Sequence, residues 1–196
     1  VSMTMGARWD STNNLLEPTR GIRANVAAIP YVSLDGGASF TRLLASASTY
    51  VNLFGNGRSI LALRGVVGSA VGATRDEIPY DKRFYAGGGG SVRGFPYLSI
   101  GARDVANVPL GGASLVELNA EWRQRLAGNW GMVAFVDAAS VGNTSTPTLS
   151  GFRVGVGAGV RYFTSIGPVR VDVAVPVNPE PGGPGYGLYV GIGQAF

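Results

Sequence analysis

The sequence contains neither cysteine nor histidine. Disulfides, Cys/His zinc sites and every catalytic mechanism that needs an imidazole or a thiolate are therefore excluded within its 196 residues. Charged residues are also scarce, at 14% against about 25% in typical soluble domains. The one lysine, Lys82, stands among 15 arginines that are spread along the chain, whereas nucleic-acid-binding proteins cluster their basic residues. We expect no enzyme, no bound metal or cofactor, and no nucleic-acid partner.

Long hydrophobic runs are missing as well. No uncharged apolar stretch reaches the ~18 residues of a transmembrane helix, and the N-terminus lacks the pattern of a signal peptide. Glycine is abundant, with 31 residues, which disfavours a helical bundle because glycine is costly inside helices. Val1 begins within an alternating pattern, so we expect the chain to be a segment of a longer precursor.

Alternation of apolar and polar residues is the dominant pattern. Every second residue of 169–175 is valine, and Arg170, Asp172 and Ala174 lie between them. The same period of two occurs in 117–123 and 153–162. It is typical of strands whose two faces meet different environments. This pattern alone fits both a soluble sandwich with the valines inside and a membrane barrel with the valines facing lipid.

Three further features favour the membrane barrel. The alternating segments run about 9–12 residues, the length of tilted membrane strands, against about 5–6 in soluble sheets. Aromatic residues near segment ends, such as Trp130 and Tyr162, suit interfacial girdles. Short turns alternate with long connections at 73–109, 142–150 and 178–184, as in outer-membrane barrels. We predict an all-β, antiparallel transmembrane β-barrel, with the soluble sandwich as the alternative.

The pattern predicts nine strands, at 1–9, 22–31, 39–53, 58–71, 114–126, 131–141, 152–163, 169–177 and 185–196. Bacterial single-chain barrels have an even number of strands, and an open edge in lipid leaves backbone groups unpaired. We therefore expect further strands to precede Val1.

A motif lies in the connection after the fourth predicted strand, where residues 83–95 read RFYAGGGGSVRGF. It resembles the sixth extracellular loop of the superfamily of outer-membrane assembly and translocation factors, in which V/I-R-G-F/Y follows R-F-x-A-G-G. Four other segments resemble motifs of the same superfamily in the same order, at 10–21, 135–138, 161–172 and 191–196. Such an ordered set is more specific than any single motif.

This resemblance implies a barrel of about sixteen strands behind periplasmic POTRA domains. Residues 1–196 would be its C-terminal portion, and 73–109 a long lumenal or extracellular loop. Segments 110–112 and 176–178 are most similar to the TamA branch, the outer-membrane subunit of the translocation and assembly module. The central insertase of the β-barrel assembly machine and two-partner secretion transporters are alternatives within the superfamily.

The resemblance also implies a location and partners. These are the outer membrane of a Gram-negative bacterium and its lipid, unfolded outer-membrane protein substrates of the autotransporter type, and TamB. The expected function is to help insert or secrete such substrates through a lateral seam.

The resemblance assigns a loop-docking motif to Val92, Arg93, Gly94 and Phe95. Arginine suits docking because its planar guanidinium binds carboxylates in a bidentate manner and stays charged. The expected wall partners of Arg93 are Glu121 and Asp137, which lie on adjacent predicted strands and on the face away from lipid. The alternative is an arginine solvated in an exposed loop.

The last predicted strand is rich in glycine. We predict that Gly187, Gly191 and Gly193 weaken this strand and let a seam open beside it, where an exposed edge templates an incoming strand. Phe196 shares its parity with the apolar residues of the strand and resembles the terminal aromatic residue of a C-terminal assembly signal.

A hypothesis from a different functional class is a passive pore that conducts anions. The arginines that would line it are Arg64, Arg123, Arg125, Arg153 and Arg161. Conductance before and after deletion of 86–96 distinguishes it from an assembly factor.

Overall fold

The computed structural model describes residues 1–180 and 183–196. Within these residues, nine strands form one antiparallel sheet in which each strand pairs with its neighbours in sequence. They are β1 (Met5–Asp10), β2 (Gly21–Tyr31), β3 (Phe40–Asn52), β4 (Ser59–Val71), β5 (Ser114–Arg125), β6 (Trp130–Gly142), β7 (Arg153–Thr164), β8 (Gly167–Pro176) and β9 (Gly187–Ile192). The predicted nine strands and all-β class are confirmed. No helix among the described residues has the length and apolar composition needed to cross a membrane.

The connections alternate between the two ends of the sheet, because successive strands are antiparallel. One end carries the long connections 32–39, 72–113, 143–152 and 177–186, and the other carries 11–20, 53–58, 126–129 and 165–166. The predicted alternation of long and short connections is confirmed, except that 11–20 is also long. Of the predicted connection 178–184, residues 181–182 lie outside the described residues.

The two faces of the sheet differ in burial. On β5, Glu117 and Glu121 are 5% and 0% exposed, whereas Leu118 and Trp122 are 50% and 39% exposed. A soluble sandwich has the reverse arrangement, with apolar side chains inside and charges outside. We call the face that carries Glu121 the inner face and the face that carries Leu118 the outer face.

The connection 72–113, hereafter the docked loop, folds back over the inner face. It begins with two single-turn 3-10 helices, Arg75–Glu77 and Tyr80–Lys82. Its backbone then pairs with itself, Phe84 with Gly112 and Ala86 with Ile100. Apolar side chains of the loop pack against buried residues of the sheet in one cluster: Phe84, Val92, Phe95 and Ile100 against Phe40, Val66 and Leu115. Each large side chain buried in this way contributes about 1.5–3 kcal/mol.

The last strand is shorter than predicted. It ends at Ile192, and Gly193 adopts a positive φ of 87°, a conformation that glycine tolerates without steric cost. The chain then turns inward, where Phe196 packs against Tyr50, Ile60 and Ala62. The predicted strand 185–196 is therefore too long, since β9 spans Gly187–Ile192.

Candidate functional site

Arg93 lies at the centre of an ion network on the inner face. Its Nε is 2.7 Å from Oδ2 of Asp137, and its Nη1 is 2.9 Å from Oε2 of Glu121. The backbone N–H of Arg93 also donates to Asp137, at 3.1 Å. The side chain is only 2% exposed, so the structure brings Arg93 into contact with both of its expected carboxylates and away from solvent.

Strand pairing sets the positions of these two carboxylates. Glu121 on β5 lies opposite Phe135 on β6, and Asn119 lies opposite Asp137. The two acids are therefore diagonal neighbours on one face, and the ring of Phe135 lies beside them. The guanidinium carbon of Arg93 is 3.3 Å from the centroid of that ring, a cation–π contact that adds to the ion pairs.

The network is larger than the sequence indicated. Nη1 of Arg93 also lies 3.1 Å from Asp172 on β8. Arg161 on β7 binds Asp172 as well, and Arg123 on β5 lies 2.8 Å from Glu121. The three guanidinium groups named here and the three carboxylates therefore compensate one another, which is what buried charges require to avoid a large desolvation penalty. A fourth, less buried arginine, Arg170, lies 3.8 Å from Asp172.

The protonation state of Arg93 follows from these contacts. Burial opposes its charge, but the hydrogen bonds to Asp137 and the charges of Asp137 and Glu121 outweigh that effect and raise the pKa of the guanidinium above its usual range. The loop is thus held by a permanent positive charge.

Small residues let the loop backbone lie directly on the wall. Gly94 has a φ of 98°, and a Cβ there would meet the carbonyl carbon of Val175 at 3.0 Å. A Cβ on Gly155 of β7 would overlap the carbonyl oxygen of Arg93. On either side of Arg93 and Gly94, Val92 and Phe95 are 0% and 3% exposed, so the structure buries the whole predicted motif.

A second set of bonds anchors the loop before the motif. Ser91 donates to Glu117 at 2.5 Å, and Asn119 donates to the carbonyl oxygen of Ser91 at 2.7 Å. Arg64 on β4 donates to the carbonyl oxygen of Gly90 at 3.3 Å. In addition to its apolar packing, the loop therefore makes polar contacts with β4, β5, β6 and β8.

Every arginine of the predicted pore has an acidic partner within 4 Å. Arg64 pairs with Glu117, Arg123 with Glu121, Arg125 with Glu17, Arg153 with Glu180 and Arg161 with Asp172. Their charges are compensated by the protein itself, which weakens the case for an anion channel.

The glycines of β9 lie close to side chains of the inner face. A Cβ on Gly187 would lie 2.5 Å from the hydroxyl of Tyr189, and one on Gly191 would lie 3.0 Å from Nε of Arg170. Both glycines therefore make room for neighbouring side chains, and their predicted weakening of the strand stays a prediction. Tyr189 was not identified from the sequence. Its position between Leu188 and Val190, which lie on the outer face, could have placed its side chain on the inner face.

The family follows from a comparison with known proteins. An Omp85 superfamily domain matches residues 1–196. The chain belongs to the Omp85 superfamily. This confirms the superfamily inferred from the motifs, whereas the TamA branch stays a prediction.

The Omp85 chain is similar to two proteins named BamA. It is 27% identical over 214 residues to the outer membrane protein assembly factor BamA of Neisseria meningitidis serogroup B, across 91% of this chain and 26% of that protein. Its fold matches the crystal structure of BamA from Haemophilus ducreyi lacking POTRA domains 1–3 with a TM-score of 0.79, at 23% identity, over 95% of this chain and 41% of that one. The chain thus spans about a quarter of the length of the curated relative that it matches.

Proposed function

We propose that this Omp85 chain acts in the outer membrane of a Gram-negative bacterium, where it helps insert or secrete autotransporter-type β-barrel substrates in the manner of TamA. The partners proposed are outer-membrane lipid, unfolded outer-membrane protein substrates and TamB. The relative from Neisseria bears the name of an assembly factor, which supports the general class. The proposed activity needs no enzymatic step, since strand pairing itself drives it.

The outer face supports the lipid contact. It exposes apolar side chains on strands from one edge of the sheet to the other, among them Val26, Leu118, Val136, Val173 and Leu188. An exposed apolar area of this extent is typical of a surface that meets a membrane or a partner. The charged side chains of the same strands lie on the inner face, as the walls of outer-membrane barrels require.

The short strand β9 is the observation on which the seam mechanism rests. It pairs with β8 over six residues, whereas β7 and β8 pair over ten. A strand with few ladder bonds separates at lower cost, and the edge that it leaves templates an incoming strand. The docked loop meanwhile joins β5, β6 and β8 to one another through Arg93, and none of these ion pairs involves β9 within the described residues.

A cross-link at the seam tests this mechanism. In the full protein, Leu188→Cys, which lies on the outer face of β9, is joined by a disulfide to a cysteine in the first strand of the barrel, the strand across the proposed seam from β9. We expect loss of substrate assembly under oxidising conditions and recovery on reduction. Leu118 and Ala138 are paired on β5 and β6, and a disulfide between cysteines at these two positions is the matched control that should leave assembly intact. Full activity of the seam-locked protein contradicts the mechanism.

Depletion of the protein distinguishes the TamA-type role from its relatives. We expect depletion to lower the surface level of autotransporter-type substrates while other outer-membrane barrels assemble normally. A loss of all outer-membrane barrels would instead identify a central insertase, and loss of one secreted partner protein would identify a two-partner secretion transporter.

Conductance separates the assembly factor from the passive pore. Because the docked loop covers the inner face of β5, β6 and β8 and the lining arginines are paired with acids, we expect little conductance in planar bilayers from the intact protein and a large increase after deletion of 86–96. A large, stable anion conductance with the loop intact would favour the pore.

A further inference from the structure

Tyr189 joins the docked loop to β9. Its hydroxyl accepts a hydrogen bond from the backbone N–H of Gly94 at 2.9 Å and donates to the carbonyl oxygen of Phe95 at 3.4 Å. Among the hydrogen bonds of residues 1–180 and 183–196, these two are the bonds between the docked loop and β9. The contact involves the loop-docking motif itself.

The ring of Tyr189 occupies a slot that two glycines leave open. A Cβ on Gly89 of the loop would lie 2.9 Å from Cδ1 of the ring, and a Cβ on Gly187 would lie 2.9 Å from Cε2. Beneath the ring, Tyr189 packs against the buried cluster of Val133, Phe135 and Ala174. Residues from the loop and from three strands thus shape this position for an aromatic side chain.

The same short segment of the loop is held on both sides. Arg93 binds the carboxylates of β5, β6 and β8, and the next residue, Gly94, donates to β9 through Tyr189. If Arg93 leaves its carboxylates, the backbone N–H of Gly94, which donates to Tyr189, therefore moves with it.

We propose that Tyr189 is a positioning residue that couples docking of the loop to the order of β9, so that the loop leaves the wall and β9 loosens in a single event. The inference rests on the proposed function only in naming β9 as the seam strand. Because a coupling free energy between two sites is reciprocal, a change at either side must be measurable at the other.

The first arm measures the effect of β9 on the loop. The chain has no cysteine, so Val92→Cys, at a buried position, reports loop opening by its rate of maleimide labelling in the full protein folded in lipid vesicles. Tyr189→Phe removes two partly buried hydrogen bonds, and loss of the shorter one alone corresponds to about a five- to tenfold change in an opening equilibrium. We expect Tyr189→Phe to speed labelling of Val92→Cys by about that factor.

Two controls accompany this arm. Tyr97 is 80% exposed, so Tyr97→Cys should label at the same rate with and without Tyr189→Phe. Tyr186 is 69% exposed and lies just before β9, so Tyr186→Phe is the matched substitution and should leave the labelling of Val92→Cys unchanged.

The second arm measures the effect of the loop on β9, by amide hydrogen exchange of Gly187–Ile192. We expect Arg93→Lys to speed exchange in β9 by about three- to tenfold and to have no such effect in the Tyr189→Phe background. A merely structural role of Tyr189 predicts additive effects in the double variant, because independent sites do not couple.

Non-additive effects in both arms support the coupling. It is overturned if Tyr189→Phe leaves labelling of Val92→Cys unchanged, or if Arg93→Lys speeds exchange in β9 equally with and without the tyrosine hydroxyl. Neither readout involves substrate assembly. Failure of the seam-locking experiment with both arms positive would therefore overturn the proposed function and leave the coupling standing.

Discussion

The two halves of the sheet differ in what lies on their inner faces. In β5, β6 and β8 the docked loop covers the wall, and Glu121, Asp137 and Asp172 are 0%, 1% and 0% exposed. In β1 all six residues are exposed, and the ion pair of Asp10 with Arg23 leaves about a fifth of each side chain exposed. Both halves consist of similar alternating strands. Among the described residues, β1 also has a neighbouring strand on one side only, so the cover of the docked loop and the number of neighbouring strands together set how deeply the polar side chains are buried.

Burial changes what each ion pair contributes. Exposed pairs are worth about 0–1 kcal/mol, because water screens them. Removing one partner of a buried pair costs far more, because the other charge stays buried without compensation. Substitutions in the two halves should therefore differ in effect even where the residue types are the same.

The largest effect is expected from Arg93→Ala. It leaves three carboxylates without their shared cation, and the local free energy of loop docking should fall by about 3–5 kcal/mol. Limited proteolysis should then cleave within 86–96, while heat-modifiable migration on gels shows that the sheet stays folded. Arg8→Ala, at an exposed position of β1, is the control and should leave the loop protected. Arg93→Lys should restore part of the protection, because an ammonium does not form the bidentate bond.

A smaller loss is expected from Asp172→Asn, which removes one carboxylate that binds both Arg93 and Arg161. Hydrogen bonds to charged groups contribute about 1.5–3 kcal/mol, and docking should weaken by that amount in urea titrations followed through loop cleavage. Asp76→Asn changes an acid whose side chain is 75% exposed and serves as the control. If the loop stays docked to the same urea concentration in the Asp172→Asn and Asp76→Asn proteins, Asp172 does not contribute to docking.

Gly155→Ala tests how closely the loop lies on the wall. The added methyl group would overlap the carbonyl oxygen of Arg93, and overpacking of this kind costs about 1–3 kcal/mol. On β4, a Cβ at Gly65 would meet only Leu118, at 3.9 Å. Gly65→Ala should therefore leave the urea midpoint of loop release unchanged while Gly155→Ala lowers it. Equal midpoints would show that the loop lies farther from β7 than the structure places it.

The smallest effect is expected at β1, which the docked loop does not cover. Asp10→Asn weakens the exposed pairs of Asp10 with Arg8 and Arg23. We expect it to lower the free energy of unfolding by less than about 1 kcal/mol. High salt should reduce this loss further, whereas it should change the effect of Asp172→Asn much less. If Asp10→Asn lowers stability as much as Asp172→Asn does, the exposed and the buried ion pairs do not differ in their contribution, against our account.

The period of two in the sequence predicts much of the fold, because it fixes which side chains share a face of the sheet. A shift of one residue in the pairing of two strands would move every side chain of a strand to the opposite face. The same period placed Glu121 and Asp137 on one face, and the motif around Arg93 indicated what binds them. Asp172 has the corresponding parity on β8, but its contact with Arg93 depends on the registers of three strand pairs and on the curvature of the sheet. Neither quantity is encoded locally in the sequence.

The inward turn at Phe196 and the role of Tyr189 were missed for a different reason. The positive φ of Gly193 ends the alternation of β9 and directs Phe196 to the inner face. A period of two in the sequence does not predict such a change of backbone direction. The slot of Tyr189 is made by Gly89 and Gly187, which are distant in sequence and meet only after the loop docks. Contacts between a long loop and a sheet thus lie beyond what periodicity reveals.

The most direct test of loop docking compares two connections at the same end of the sheet by amide hydrogen exchange in lipid. The N–H groups of Arg93 and Gly94 donate to Asp137 and Tyr189, so 92–95 should exchange as slowly as the strands. In the connection 32–39, residues 34–37 are exposed and should exchange within the shortest labelling time. Slow exchange in 92–95 and fast exchange in 34–37 is the predicted result, and equally fast exchange in both segments would contradict the docking of the loop on the inner face.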